Sequence, residues 1–163
     1  MDKNKLHHVV ATAIICKGNH YLIVKRSSKE KNMPNMWSVP GGRIELDDYV
    51  KKPKNTPFHW HNVVRYSLER ECQEEVGLTI GNLNLVRDLI YINADKIPTL
   101  VLSYSAQYIL GEVKLNHELT NYAWVKKDEL KKYNLIPGLY EEFLMVEAEY
   151  SKQKIIDTQC KHE

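Results

Sequence analysis

Glu71, Glu74 and Glu75 place three carboxylates within five residues, in the run Arg70-Glu71-Cys72-Gln73-Glu74-Glu75-Val76-Gly77-Leu78. On a helix, Glu71 meets Glu74 at i+3 and Glu75 at i+4, so all three project from nearly one side. At about 6 Å and an effective dielectric near 20, each like-charged pair costs roughly 3 kcal/mol before screening. Two arrangements relieve that repulsion. The carboxylates line a solvated face that Arg70 and nearby lysines balance, or they hold a divalent cation. Hard oxygen donors suit Mg²⁺ or Mn²⁺.

Other residues carry chemistry at lower specificity. Arg26 ends an apolar run, where its guanidinium is either a surface charge or a clamp for phosphate oxygens. Pro40-Gly41-Gly42 lets the backbone turn sharply or approach a ligand closely. His59 and His61 are surface residues or metal ligands, and Phe58 and Trp60 stack on a base or pin their own loop.

These residues need a scaffold. Leu6 to Cys16 is rich in Val, Ile, Ala and Thr, as a buried strand is, and Gly18-Asn19 turns it into a second strand, His20 to Arg26. Residues 27 to 35 form a polar loop. Residues 46 to 61, broken by Pro53 and Pro57, read as loop throughout. A helix is predicted from Asn62, its N-cap, to Val76, with Val64, Leu68 and Cys72 as its apolar stripe and the three glutamates off that stripe. Gly77 ends it. Strands are expected over 83–93 and 97–110, paired around Ala94-Asp95-Lys96, with an extended piece over 112–115 and a last strand over 122–125. Short and longer helices follow over 127–132 and 139–150. The alternation implies an α/β or α+β layer stack.

The totals set bounds. A 163-residue chain, 43% hydrophobic and 27% charged, suits one domain, here residues 1–150 with a polar tail at 151–163. A net charge of +2 gives no argument for a nucleic-acid polymer, and no apolar run is long enough for a membrane span. Cys16, Cys72 and Cys160 have neither disulfide nor zinc spacing. With no secretory leader legible after Met1, the cytoplasm is the expected compartment.

The second half of the carboxylate run resembles the signature of the Nudix hydrolases: a Gly, five residues, a Glu, seven residues, then Arg-Glu-apolar-any-Glu-Glu-any-Gly-apolar. Arg70 to Leu78 matches throughout, with Cys72 and Leu78 in the apolar places. Trp37 and Pro40 to Glu45 resemble the entry to the same motif, and the supporting elements fit over residues 6 to 148. One interval departs: Gly42 to Arg70 spans twenty-eight positions (70 − 42), fourteen more than the pattern. Counting forward, Asp48 holds the place of the first Glu (42 + 6). Counting back, Asn62 does (70 − 8). A fourteen-residue insertion explains both counts, and loop closure tolerates it.

The resemblance implies a Nudix fold, a mixed sheet packed between helices. It implies hydrolysis of a nucleoside diphosphate linked to another group, most simply a nucleoside triphosphate split to NMP and pyrophosphate. A nucleotide-sugar or ADP-ribose substrate is the alternative, and a non-catalytic nucleotide sensor the third. The metal set is then Gly41 through its carbonyl, Glu71, Glu74 and Glu75, with Arg70 orienting a carboxylate. Glu118, six residues before Trp124, is the expected late-loop acid and further ligand, ahead of Glu112 and Asp95. Arg26 and Trp60 are the expected substrate contacts. Partners are small nucleotides, and a homodimer is common among such proteins.

Overall fold

A computed structural model describes residues 5–159 of the chain. Cys160 and the first residues of the expected domain lie outside the described residues. Strand β1 (His8–Lys17) turns at Gly18, whose φ of +61° suits glycine, into β2 (His20–Arg26). Two short strands follow, β3 (Trp37–Ser38) and β4 (Gly41–Arg43). After helices α1 (Asp47–Val50) and α2 (Val63–Val76) come β5 (Thr79–Ile92), β6 (Pro98–Leu110) and β7 (Leu119–Val125). A 3₁₀ turn at Lys127–Lys132 leads to α3 (Leu139–Gln159).

The seven strands make one mixed sheet in the order β3-β2-β1-β6-β5. β4 lies beside the first half of β1, and β7 beside β2. The β1–β6 pair is parallel, and the other pairs are antiparallel. The apolar continuity of β1 has a plain cause: both faces of the sheet are covered. Ala11, Ala13 and Ile15, with Leu22 and Val24, pack with Leu68, Cys72 and Val76 of α2. Ile14, Cys16, Tyr21 and Ile23 pack with Leu139, Phe143 and Val146 of α3. Each buried Leu, Val or Phe contributes about 1.5–3 kcal/mol, so the helices are held by these stripes. The result is a sheet between two helical layers, the expected mixed α/β fold.

The structure departs from the sequence reading at several points. The 46–61 segment is not loop throughout, because Asp47–Val50 makes one helical turn. Asn62 does not cap α2 with its side chain. It takes a left-handed conformation instead, φ 59°, which asparagine tolerates. β5 starts earlier than expected, at Thr79, through bulges around Gly81–Asn84. The 112–115 piece joins no strand; Lys114 within it and Asn116 just after it donate backbone N–H groups to the Val76 and Glu75 carbonyls at the end of α2. α3 runs on past Tyr150 into the expected tail.

One polar contact lies inside the α3 layer. Ser103 on β6 donates its hydroxyl to the buried Glu142 carboxylate at 2.5 Å. Burial raises the Glu142 pKa, while the Ser103 hydroxyl and Arg87 oppose that shift. For an acid whose folded pKa is raised, the native state is penalised as pH climbs from the unfolded value through the folded one. The wild type should therefore lose stability relative to Glu142→Gln as pH rises above the ordinary carboxylate range, about 4. Urea denaturation across that rise checks the sign, and a constant gap would refute it.

Candidate active site

The site forms where β4 lies between β1 and α2. Gly41, opposite Thr12 on β1, has φ +145°, and a Cβ there would lie 2.2 Å from the Ala11 carbonyl oxygen. No side chain fits. Its N–H donates to Glu75 Oε2 at 2.8 Å. At Gly42 a Cβ would lie 2.2 Å from Glu71 Oε1, so the second glycine makes room for that carboxylate. The two separated stretches of sequence thus meet carboxylate to backbone.

Glu75 is 6% exposed, although the apolar stripe alone placed it outside the packed face. Burial pushes its pKa up to about 8; the Gly41 N–H works against this, the Glu71 and Glu118 charges add to it, and Arg26 opposes it. Glu71 is also raised, first by burial and then by Glu74 and Asp48, with Arg70 opposing. The α2 end adds to the strain. Its last turn carries no basic residue, and the negative end of the helix dipole faces Glu74 and Glu75. Gly77, left-handed at φ 71°, closes the helix by donating to the Cys72 and Gln73 carbonyls.

Arg70 organises the outer side. It meets Asp48 through Nε at 2.6 Å and Nη2 at 3.3 Å, Glu71 at 3.0 Å and Glu74 at 3.0 Å. Its Nη2 also donates to the Arg43 carbonyl at 3.3 Å. The Asp48 side chain is 2% exposed and accepts the Glu45 N–H at 2.8 Å. Burial works against its charge, but Arg70, the Glu45 N–H and Ser67 together hold its pKa below the usual range. Asp48, and not Asn62, is therefore the residue that meets the arginine. From there residues 49–62, a finger of mostly exposed residues, lead into α2.

The other candidates divide. Glu118 sits close enough to raise Glu75; its N–H is held by Asn116 Oδ1 at 3.0 Å, and its carbonyl accepts from Ser27. Asn116 is the residue that sequence reasoning missed, although an Asn two positions before an acid is an Asx-turn signal. Arg26 is engaged by its own loop, donating from Nε to the Asn32 carbonyl at 3.0 Å and from Nη2 to Glu30 at 2.7 Å. Trp60 pins the finger: its indole N–H donates to the Lys52 carbonyl at 2.9 Å, and its ring meets Tyr49 edge-on. His59 Nδ1 bonds Thr56, and Asp95 pairs with Lys31. A hollow of about 890 Å³ is lined by Asn62, Asn82, Asn84, Gln107 and Tyr150 among others, and by none of the carboxylates.

Among the described residues no three His, Cys, Asp or Glu side chains converge into a finished metal cage. Glu71 and Glu75 face the glycines, while Glu74 is turned to Arg70. The donor chemistry nonetheless fits a divalent cation. Two carboxylates with raised proton affinity, beside a third and a helix C-terminus, need positive charge more than solvent.

Comparisons with known proteins place the family and the fold. The model of a protein family described as the NUDIX domain matches residues 6–144. The chain is similar to the nucleoside triphosphatase NudI of Escherichia coli strain K12, 24% identical over 136 residues that cover 77% of this chain and 86% of that one. Among solved structures it resembles the MutT NUDIX hydrolase from Burkholderia pseudomallei at a TM-score of 0.68 and 21% identity, covering 87% of this chain and 99% of that chain. It also resembles an ADP-ribose pyrophosphatase from Streptococcus suis 89-1591 at a TM-score of 0.60 and 18% identity, covering 88% and 92%.

The Gly42 contact yields a test. Gly42→Ala should displace the Glu71 carboxylate and weaken Mn²⁺ binding at least roughly tenfold, as disturbed ligand positioning does. Calorimetric titration measures the affinity, and an unchanged melting temperature separates this from unfolding. Unchanged Mn²⁺ affinity would remove Glu71 from the metal set.

Proposed function

The chain belongs to the Nudix hydrolase family, and from that premise we propose that its substrate is a nucleoside triphosphate, cleaved with Mg²⁺ to NMP and pyrophosphate. As a family member it is a hydrolase of phosphoanhydride bonds in small nucleotides, and proteins of this family use divalent metal ions. The observation that supports the finer reading is the junction of the two signature halves, Gly41 N–H on Glu75 and Gly42 against Glu71. The triphosphate is favoured because the curated relative is a nucleoside triphosphatase matched over most of both chains.

In the proposed mechanism, water attacks phosphorus, the anhydride P–O bond breaks, and the bridging oxygen leaves with the distal phosphates. When bound, Mg²⁺ neutralises the diphosphate and makes the water more acidic. Glu71, Glu74 and Glu75 would hold it, with the Gly41 carbonyl and Glu118 as further donors. The chain's own residues do the rest. Asp48 holds Arg70, and Arg70 holds Glu71 and Glu74 in register. Glu75, kept in place by the Gly41 N–H, is the carboxylate placed to accept the water proton. Arg26 reaches a substrate phosphate by exchanging Glu30 for it, since a guanidinium binds either oxyanion. Trp60 contributes by holding the finger in shape. A homodimer, common among such proteins, and residence in the cytoplasm, the compartment expected from the sequence, go with this reading. Among the described residues no helix is long and apolar enough to cross a membrane.

The ADP-ribose reading rests on the likeness in fold to the Streptococcus suis enzyme. Product analysis separates the two. A triphosphate gives NMP and pyrophosphate, whereas ADP-ribose gives AMP and ribose 5-phosphate. Glu74→Gln and Glu75→Gln should each lower kcat by about two to four orders of magnitude with the fold retained. Near-normal turnover in either variant would break the assignment, and binding without release from any nucleotide would make the protein a sensor.

A further inference from the structure

Arg26 is held by two side-chain contacts of different kinds. Its Nη2 donates to the Glu30 carboxylate at 2.7 Å, and its Nε donates to the Asn32 carbonyl at 3.0 Å. An incoming phosphate competes with the first, because a guanidinium pairs with either oxyanion. It does not compete in the same way with the second, a neutral backbone oxygen. Neither contact uses Nη1, which leaves that nitrogen to a substrate. Once Glu30 has given way, the Asn32 carbonyl is the contact that still sets the plane of the guanidinium.

The position of that carbonyl is fixed from across the molecule. The ends of the 27–36 loop close on each other, Arg26 N–H on the Met36 carbonyl at 2.9 Å, but its middle is held from outside. Asn32 Oδ1 accepts the Ala94 N–H at 2.9 Å, in the turn between β5 and β6. That turn is well tied. The buried Asn93 accepts the Asp95 and Ile97 N–H groups at Oδ1, at 3.0 Å each, and donates its own N–H to the Ile97 carbonyl at 3.1 Å. Lys31 also pairs with Asp95 at 3.2 Å, but both ends are exposed, so this pair adds little.

The loop needs such an anchor. Met33 and Asn35 have φ values of 50° and 60°, in the left-handed region that few residues other than glycine enter. Residues there persist only where their surroundings hold them. Met33 directly follows Asn32, so the anchor sits where the backbone is least at ease. One side chain thus joins the β5–β6 turn to the guanidinium.

We propose that Asn32 is a positioning residue for substrate binding: anchored on Ala94, it keeps the Arg26 guanidinium in plane through its carbonyl while Glu30 yields to a substrate phosphate. It acts through Arg26 and does not itself touch the substrate. This rests on the hydrolase reading and on Arg26 as its phosphate contact, and it adds the residue that keeps that contact aimed.

A nucleoside triphosphate analogue with a carbon bridge between its α and β phosphates, titrated calorimetrically with Mg²⁺, reads the contact without turnover. Asn32→Ala removes the Oδ1 acceptor and keeps the carbonyl. It should weaken Kd for the analogue, and raise KM for the triphosphate, about fivefold, the order of one net hydrogen bond, with kcat unchanged. In an Arg26→Lys background, where no Nε is present to be held, the same substitution should change Kd by less than about twofold, as coupled sites require. An equal effect in both backgrounds, an unchanged Kd, or a fall in kcat at constant KM would each overturn the positioning role. A wild type that binds the analogue but releases no pyrophosphate from any triphosphate would overturn the hydrolase reading alone, because the Asn32 effect is still read on Kd. A wild type that does not bind the analogue would overturn both.

Discussion

The structure turns on one buried carboxylate. Glu75 lies near the C-terminal end of α2, where the helix dipole is negative, beside Glu71 and close to Glu118. Left alone, a charge so placed would be expelled or neutralised. What keeps it there is the Gly41 N–H, and that bond exists only because β4 runs tight against β1 with no Cβ at Gly41. The backbone of one signature half supplies the hydrogen-bond donor for the carboxylate of the other. The end of the helix is fixed separately, by the left-handed stop at Gly77 and by Lys114 and Asn116, which donate to the Val76 and Glu75 carbonyls.

Around this inner contact Arg70 builds an outer one. A single guanidinium serves Asp48, Glu71, Glu74 and the Arg43 carbonyl, so four groups share one orientation. Asp48 is nearly sealed from water, and so the arginine is fixed from beneath rather than hung from the surface. An insertion placed immediately after such an anchor leaves the anchor's geometry alone. The chain can lengthen between Asp48 and α2 without moving the carboxylates.

Much of this was legible from residue order, for identifiable reasons. The β1–β2 hairpin followed from Gly18-Asn19 between apolar runs, and the facing of α2 from Val64, Leu68 and Cys72. The burial of Glu75 was not legible, because periodicity counts apolar side chains and is blind to a carboxylate met by a backbone N–H across the chain. Counting alone left Asp48 and Asn62 equally eligible, and only the contact with Arg70 separated them. Arg26 looked free because its partners, Glu30 and the Asn32 carbonyl, lie in a loop whose path no pattern encodes. The continuation of α3 past Tyr150 was hidden by polar residues, which carry no stripe to follow.

The parallel pairing of β1 with β6 has a bearing on how the molecule is made. Val10 lies opposite Val101, ninety-one positions later (101 − 10), so the central partner of the first strand is synthesised long after it. Contacts of such separation form slowly, because a long loop must close before they reward it. During translation β1 emerges as an apolar strand with one side unpaired, an aggregation-prone edge until residues near 110 are made. α2 can form early, but the sheet that covers its Leu68 and Cys72 is incomplete until then. The carboxylate cluster therefore matures late in biogenesis, and an interrupted chain would carry the glutamates without the complete sheet that holds them together.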